Sequence, residues 1–233
     1  MDVSHVNKTQ DKTLLVKELR EDSEAQEGDP VNVGGQIMKV LHLVFSKRLI
    51  FFLPQQIFTG ISIAYYSGML VPILTASIDS EDQQLQFQKS LLAMVALGAG
   101  EMIGSLIQGQ VVDKVGNRTP VIIIVVSLMV TIAVTLFYIK KMEFGWLAYV
   151  MTGLWGFQDG ALNTHTYQML GFEFEDSATA FAMFNLIQAV GCVTFQLLES
   201  IIEERSYLVY TCVIGIIGVL FSGLTYFFDF RKP

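Results

Sequence analysis

Glu101 and Asp159 are the side chains best placed for chemistry, because each is a carboxylate set inside a long apolar run. A charge at the centre of a membrane-spanning helix costs at least about 2.5–3.5 kcal/mol, so such residues face a protein interior or a water-filled space. Each can be protonated, can pair with a partner, or can carry a proton in a coupled transporter. His165 stands about one and a half turns beyond Asp159, where it can join a relay. Asn163 and Gln188 add polar groups, so that Glu101, Asp159, Asn163, His165 and Gln188 form a candidate cavity or coupling set. The plainer alternative leaves Asp159 neutral and hydrogen-bonded to Asn163. Glu199 lies near a helix end, from which it can snorkel to the interface.

Enzyme chemistry finds no support. His5, His42 and His165 are scattered, with no nucleophile elbow, Walker loop or metal-ligand spacing. Cys192 and Cys212 fall in apolar runs, where a thiol behaves as a small hydrophobe. No catalytic residue, cofactor or metal site is therefore expected.

The elements that must position the carboxylates belong to a membrane protein. The 233 residues are 52% hydrophobic and 16% charged, with a mean hydropathy of +0.49, which all but excludes a soluble fold. The net charge of −7 argues against nucleic-acid binding. Residues 1–35 read as a disordered polar cytosolic tail without the apolar core of a signal peptide. Residues 36–48 alternate as an amphipathic helix lying on the membrane surface. Six spans follow, over about 49–75, 90–112, 120–139, 145–171, 178–199 and 207–228. The bundle thus covers 49–229, and 230–233 form a cytosolic C-terminus. Asp176 or Ser177 can cap the fifth span. Lys and Arg near the spans favour both termini in the cytosol. Plasma membrane and endomembranes fit equally well.

Helical spacing divides the spans into two kinds. Gln55, Thr59, Ser62 and Tyr66 share one face of the first, and Glu101, Ser105 and Gln108 one face of the second. The fourth offers Asp159, Asn163 and Thr166, and the fifth Asn185, Gln188, Cys192, Gln196 and Glu199. The third and sixth carry only scattered Ser, Thr and Tyr. Polar, polar, apolar, then the same again, is a 3+3 repeat in hydropathy. Small residues at Gly100, Gly104, Gly153, Gly156 and Gly160 mark close helix packing, and Ser, Thr or Gln side chains can serve simply to join helices.

The link between the second and third spans reads Gly109-Gln110-Val111-Val112-Asp113-Lys114-Val115-Gly116-Asn117-Arg118. Gly109 would let two helices approach, Asp113 can accept from a neighbouring helix N-terminus, and Gly116 permits a left-handed turn. Arg118 supplies a local counter-charge. This resembles the signature loop of the major facilitator superfamily, G-x-x-x-D-[RK]-x-G-[RK]-[RK], with Asn117 in place of one basic residue. The resemblance implies an all-α integral membrane fold whose six transmembrane helices form one half, an inverted 3+3 repeat, of that superfamily's fold.

Gly153-Leu154-Trp155-Gly156, Asp159, Asn163-Thr164 and Ala180-Phe181-Ala182 before Asn185 follow one another. The tract from Tyr149 to Gly191 is similar to the C-terminal half of the Unc-ninety-three-like branch, the ion channel regulatory protein family. A member would have two six-helix halves, and only the second is present. A truncated gene model or splice form, a half-size protein that dimerises, and a subunit docking on another membrane protein all fit. The resemblance implies a non-catalytic accessory or regulatory protein of a channel, receptor or larger membrane complex. The alternative is a proton- or cation-coupled carrier, as a dimer of halves or a fragment of a twelve-helix protein. The expected partners are the lipid bilayer and another membrane protein or a second six-helix half.

Overall fold

The computed structural model describes residues 33–230. Most of the expected tail and residues 231–233 lie outside them. Among the described residues all regular structure is helical. Helix α1 runs over Val33–Val44, and a single tight turn over Lys47–Leu49 leads to α2, Leu53–Ala76. Then come α3 (Gln83–Val115), α4 (Arg118–Lys141), α5 (Trp146–Glu173), α6 (Ser177–Glu199) and α7 (Tyr207–Leu224). The chain divides into two units between Met38 and Lys39, inside α1. Of the first unit, Ile37 and Met38 are exposed; the bundle belongs to the second.

Local chemistry explains the helix ends. Asp82 caps α3 by accepting the Gln84 N–H at 2.9 Å, so α3 begins seven residues before Ser90, the position expected for the second span. The Gln- and Leu-rich segment before Ser90 consists of good helix formers behind a good cap. Of the two candidate caps of α6, Asp176 does the work, accepting the Thr179 N–H at 3.0 Å and its hydroxyl at 2.6 Å. Those bonds hold its carboxyl below the usual aspartate range. Gly116 ends α3 at φ 76° and ψ −173°, an extended positive-φ conformation open almost only to glycine, in place of the left-handed helical turn expected of it.

In α2 the residues Tyr65–Met69 widen into a π segment. Pro72 has no N–H to offer the Gly68 carbonyl, and a wider turn just before it absorbs the mismatch.

The helices pack in three principal pairs: α3 with α5, α2 with α6, and α4 with α7. Glycines set the first two. A Cβ on Gly100 or Gly104 would overlap the α5 backbone at Gly153 and Phe157, and one on Gly156 or Gly160 would overlap the α3 backbone at Leu97 and Glu101. Two G-x-x-x-G faces therefore meet backbone to backbone, the arrangement that brings membrane helices closest. Gly153 has only an ordinary contact, 3.6 Å from the Ala96 carbonyl. Gly60 and Gly191 do the same for α2 and α6: a Cβ on Gly60 would strike the Gln188 carbonyl, and one on Gly191 would lie 2.9 Å from the Ile57 carbonyl. At Gly109 an added Cβ meets nothing within 4 Å. The close approach expected there is not made within this chain, because residue 109 is turned about 100° from the 100/104/108 face that meets α5.

The core between the pairs is aromatic. Trp155 is fully buried and stacks on Tyr65 at 4.4 Å between ring centres, with Tyr210 at 6.0 Å on Tyr65. Thr211 gives its proton to the Tyr207 carbonyl, so the Tyr65 hydroxyl donates to Thr211 at 2.6 Å. The Trp155 Nε1–H reaches Thr135 at 3.0 Å.

Five segments are long and apolar enough to cross a membrane: Leu53–Ala76, Gln83–Val115, Arg118–Lys141, Ser177–Glu199 and Glu204–Phe227. Helix α5, expected as the fourth span, has 28 residues and is about 42 Å long. It is not among the five, since Gln158, Asp159, Asn163, His165 and Gln168 occupy its middle.

Two outcomes are expected. Gly156→Leu forces a side chain into the α3 backbone and destabilises the bundle by about 3 kcal/mol or more, whereas Gly109→Ala leaves the thermal unfolding midpoint in detergent unchanged. The Asp176 cap, with its depressed carboxyl, stabilises fully above the ordinary aspartate value of 3.8 and is lost as pH falls through its lower folded value. The unfolding midpoints of the native chain and Asp176→Ala should therefore converge in acid.

Candidate functional site

Asp159 directly precedes Gly160, the last glycine of the α3–α5 crossing, and is 2% exposed. Asn163, one turn later, donates its Nδ2–H to Asp159 Oδ2 at 2.9 Å and to the Asp159 carbonyl at 3.1 Å. The Asn163 Oδ1 accepts from Gln188 Nε2 at 3.4 Å, which links α5 to α6. Asp159 Oδ1 is buried without a hydrogen-bond partner among the described residues.

Glu101 comes from α3 and is exposed. It is within electrostatic reach of Asp159, Tyr66 and Tyr167. Glu101, Asp159, Asn163 and Gln188 thus gather on one side of the bundle, on α3, α5 and α6, with Tyr66 of α2 beside them. The glycine crossing is the reason, since Gly160 packs on the Glu101 backbone.

His165 belongs to another group. Its Nδ1 lies 3.2 Å from Gln55 Nε2, which can only donate, and its Nε2 lies 3.2 Å from the Asn117 carbonyl, which can only accept. These partners fix a neutral ring with the proton on Nε2, and both nitrogens are engaged away from Asp159. Gln55 also donates to Thr166 at 3.0 Å. The signature turn is held from the same side: Asn117 Nδ2 donates to Glu173 Oε1 at 3.2 Å, and Arg48 pairs with Glu173 Oε2 at 3.2 Å. Arg48 also lies over Phe174 and Phe228. The α3–α4 turn is therefore fastened to the end of α5 through Asn117, the residue that departs from the signature pattern.

The rest of that loop faces outward. Asp113 and Lys114 are exposed in the last turn of α3. Asp113 makes no hydrogen bond or ion pair among the described residues, so the bond to a neighbouring helix N-terminus expected of it is not made there. Arg118 stacks over Tyr226 at 5.8 Å.

Glu199 does not snorkel. It is 7% exposed, accepts the Tyr210 hydroxyl at 2.8 Å, and lays Oε2 against Gly68 in the π segment. With no side chain at Gly68, the carboxylate turns inward into the space beside the wide turn. Neither this pairing nor the Arg48–Glu173–Asn117 link was visible in the helical spacing. Arg48, Asn117 and Glu173 are far apart in the sequence, as are Glu199 and Gly68, and helical spacing carries no signal of such contacts.

The model of the family described as "Ion channel regulatory protein UNC-93" matches residues 11–223. No curated protein and no solved structure matches the chain.

The network at the signature turn gives a paired expectation. Glu173→Ala removes the acceptor of both Arg48 and Asn117 and costs about 1.5–3 kcal/mol, read by denaturant unfolding in detergent. Asp113→Asn, which breaks no hydrogen bond or ion pair among the described residues, stays within about 0.5 kcal/mol of the parent.

Proposed function

The chain belongs to the ion channel regulatory protein UNC-93 family, and we propose that it is a six-span, non-catalytic regulatory subunit that docks on a channel or another membrane protein. The docking face is the polar side built by α2, α3, α5 and α6, and the third and sixth spans, α4 and α7, face lipid. In this reading α5 crosses the membrane as the fourth span, its polar middle covered by protein.

The observation that carries the reading is an inversion between enclosure and polarity. In a bundle surrounded only by lipid, the most exposed helices should be the most apolar. Here α6 and α3 are the least enclosed of the five apolar segments, yet α4 and α7 are more apolar. The exposed residues of α3 and α6 include Glu101, Asn185 and Gln196. Such a surface calls for a protein or aqueous neighbour.

The helix pairing supports the half-fold of the major facilitator type. Numbering the spans one to six, the principal pairs are two with four, one with five and three with six. Exchanging one with four, two with five and three with six returns the same pairs, as an inverted 3+3 repeat requires. The secondary pairs, three with four and one with six, exchange with each other as well. Both termini then lie on one side, taken as the cytosol from the basic residues around the signature loop. Asp113 becomes a contact for the partner, or for a second six-helix half.

A carrier is the second reading, and one feature favours it: the buried Asp159 carboxylate with a free oxygen beside Glu101. Uptake into proteoliposomes driven by a pH gradient, and abolished by Asp159→Asn, would establish it.

The docking reading is tested with a photo-crosslinking residue at Asn185 on α6 and another at Ile216 on α7, in the membranes of the native host. Crosslinking of a discrete membrane protein in a fixed ratio from position 185 but not from 216 is the expected result. Equal labelling by lipid at both positions contradicts it.

A further inference from the structure

Glu101 has an unusual position for an exposed carboxylate. It stands near the middle of the 33-residue α3, and the basic residues nearest to it along that helix, Lys89 and Lys114, are about 18–20 Å away at the rise of an α-helix. Helices α2, α5 and α6 around the same side contain no Lys or Arg, and the chain has none anywhere from 142 to 204. Behind Glu101, within electrostatic reach, lies Asp159, 2% exposed and with Oδ1 lacking a hydrogen-bond partner among the described residues. The side of the bundle that must be covered therefore presents carboxyl groups at membrane depth, and among the described residues of the helices around it no Lys or Arg stands there to pair with them.

We infer that the occupant of this face is a transmembrane helix carrying a Lys or Arg near the bilayer centre, whose cation pairs with Glu101. This rests on the docking reading above and names its chemistry. A basic residue alone at membrane depth is as costly as Glu101 alone, so pairing relieves both at once and makes the contact specific. A second copy of this chain is a poor occupant. A two-fold contact through the face would set Glu101 against Glu101, and neither copy brings a cation. Tyr66 and Tyr167 lie within electrostatic reach of the acid, and tyrosine hydroxyls and rings suit a cationic head group.

The test uses the full chain, fluorescently tagged, in lipid nanodiscs. Energy transfer is measured to single-span Leu/Ala peptides of about 20 residues bearing a central Lys or a central Leu. The Lys peptide should associate about tenfold more tightly than the Leu peptide. That advantage should vanish in Glu101→Gln, persist in Glu101→Asp, and persist in Asp79→Asn, which alters an exposed loop acid. Thermal unfolding of each variant verifies that it is folded. Equal association of the two peptides with the native chain overturns the inference, as does a Lys advantage that survives Glu101→Gln. Self-association of the native chain that excludes the Lys peptide assigns the face to a second copy and also overturns it. If the crosslinker at Asn185 still captures a discrete partner while the Lys preference is absent, the docking reading stands and only its charge chemistry falls. No capture at Asn185 removes the docking reading itself.

Discussion

Backbone contact between α3 and α5 is the constraint on which the rest of the bundle depends. Gly100 and Gly104 on one helix and Gly156 and Gly160 on the other leave no room for a Cβ, so the register of the two helices is set to within a residue. That register places Asp159 next to Glu101 and turns Asn163 toward α6, where Gln188 meets it. A weaker counterpart at Gly60 and Gly191 joins α2 to α6. In lipid, where burying apolar surface gives little net gain, such close approach is what holds helices together. The large aromatic residues then fill the space between the pairs, with Trp155, Tyr65 and Tyr210 in one column.

Much of this was legible in the sequence because helical spacing and small residues are local signals. The glycine stripe of α3 and α5, the polar faces, the turn at Gly116 and the cap before α6 all follow from residues within a few positions of one another. Long-range pairings left no such trace. Gly60 and Gly191 form no stripe: Gly191 is the one glycine of α6, and the other glycine of α2, Gly68, stands eight residues from Gly60. Glu199 read as a residue able to reach the interface, and it turns inward because Gly68, far away in sequence, leaves room. His165 shares a helix with Asp159 but finds its partners on α2 and in the α3–α4 turn. Hydropathy sets α5 apart from the five apolar segments, and no window along the chain registers that Gln158, Asp159 and His165 in its middle are enclosed by neighbouring helices.

The polar groups fall into two functional kinds. Those at the signature turn, Arg48, Glu173, Asn117, His165 and Gln55, bond to one another and fasten helices together, with Gln55 Oε1 left without a hydrogen-bond partner among the described residues. Those on the opposite kind of surface, Glu101 with Asp159 behind it and Asn185 and Gln196 beyond, remain turned outward or short of partners. In the proposed docking role the first group fixes the scaffold, and the second is the one a partner would complete. Asp113, exposed at the end of α3, belongs with the incomplete set.

The central claim is that the α3/α6 side of the bundle is covered by protein in the membrane, while the α4/α7 side meets lipid. Spin labels at Asn185 on α6 and at Ile216 on α7, read in native membranes for collisions with dissolved oxygen and with a water-soluble nickel complex, test it most directly. The account predicts frequent oxygen collisions at position 216 and few collisions with either reagent at 185. Oxygen access at 185 equal to that at 216 would mean a lipid-facing surface, and high nickel access at 185 an aqueous path; either result would contradict it.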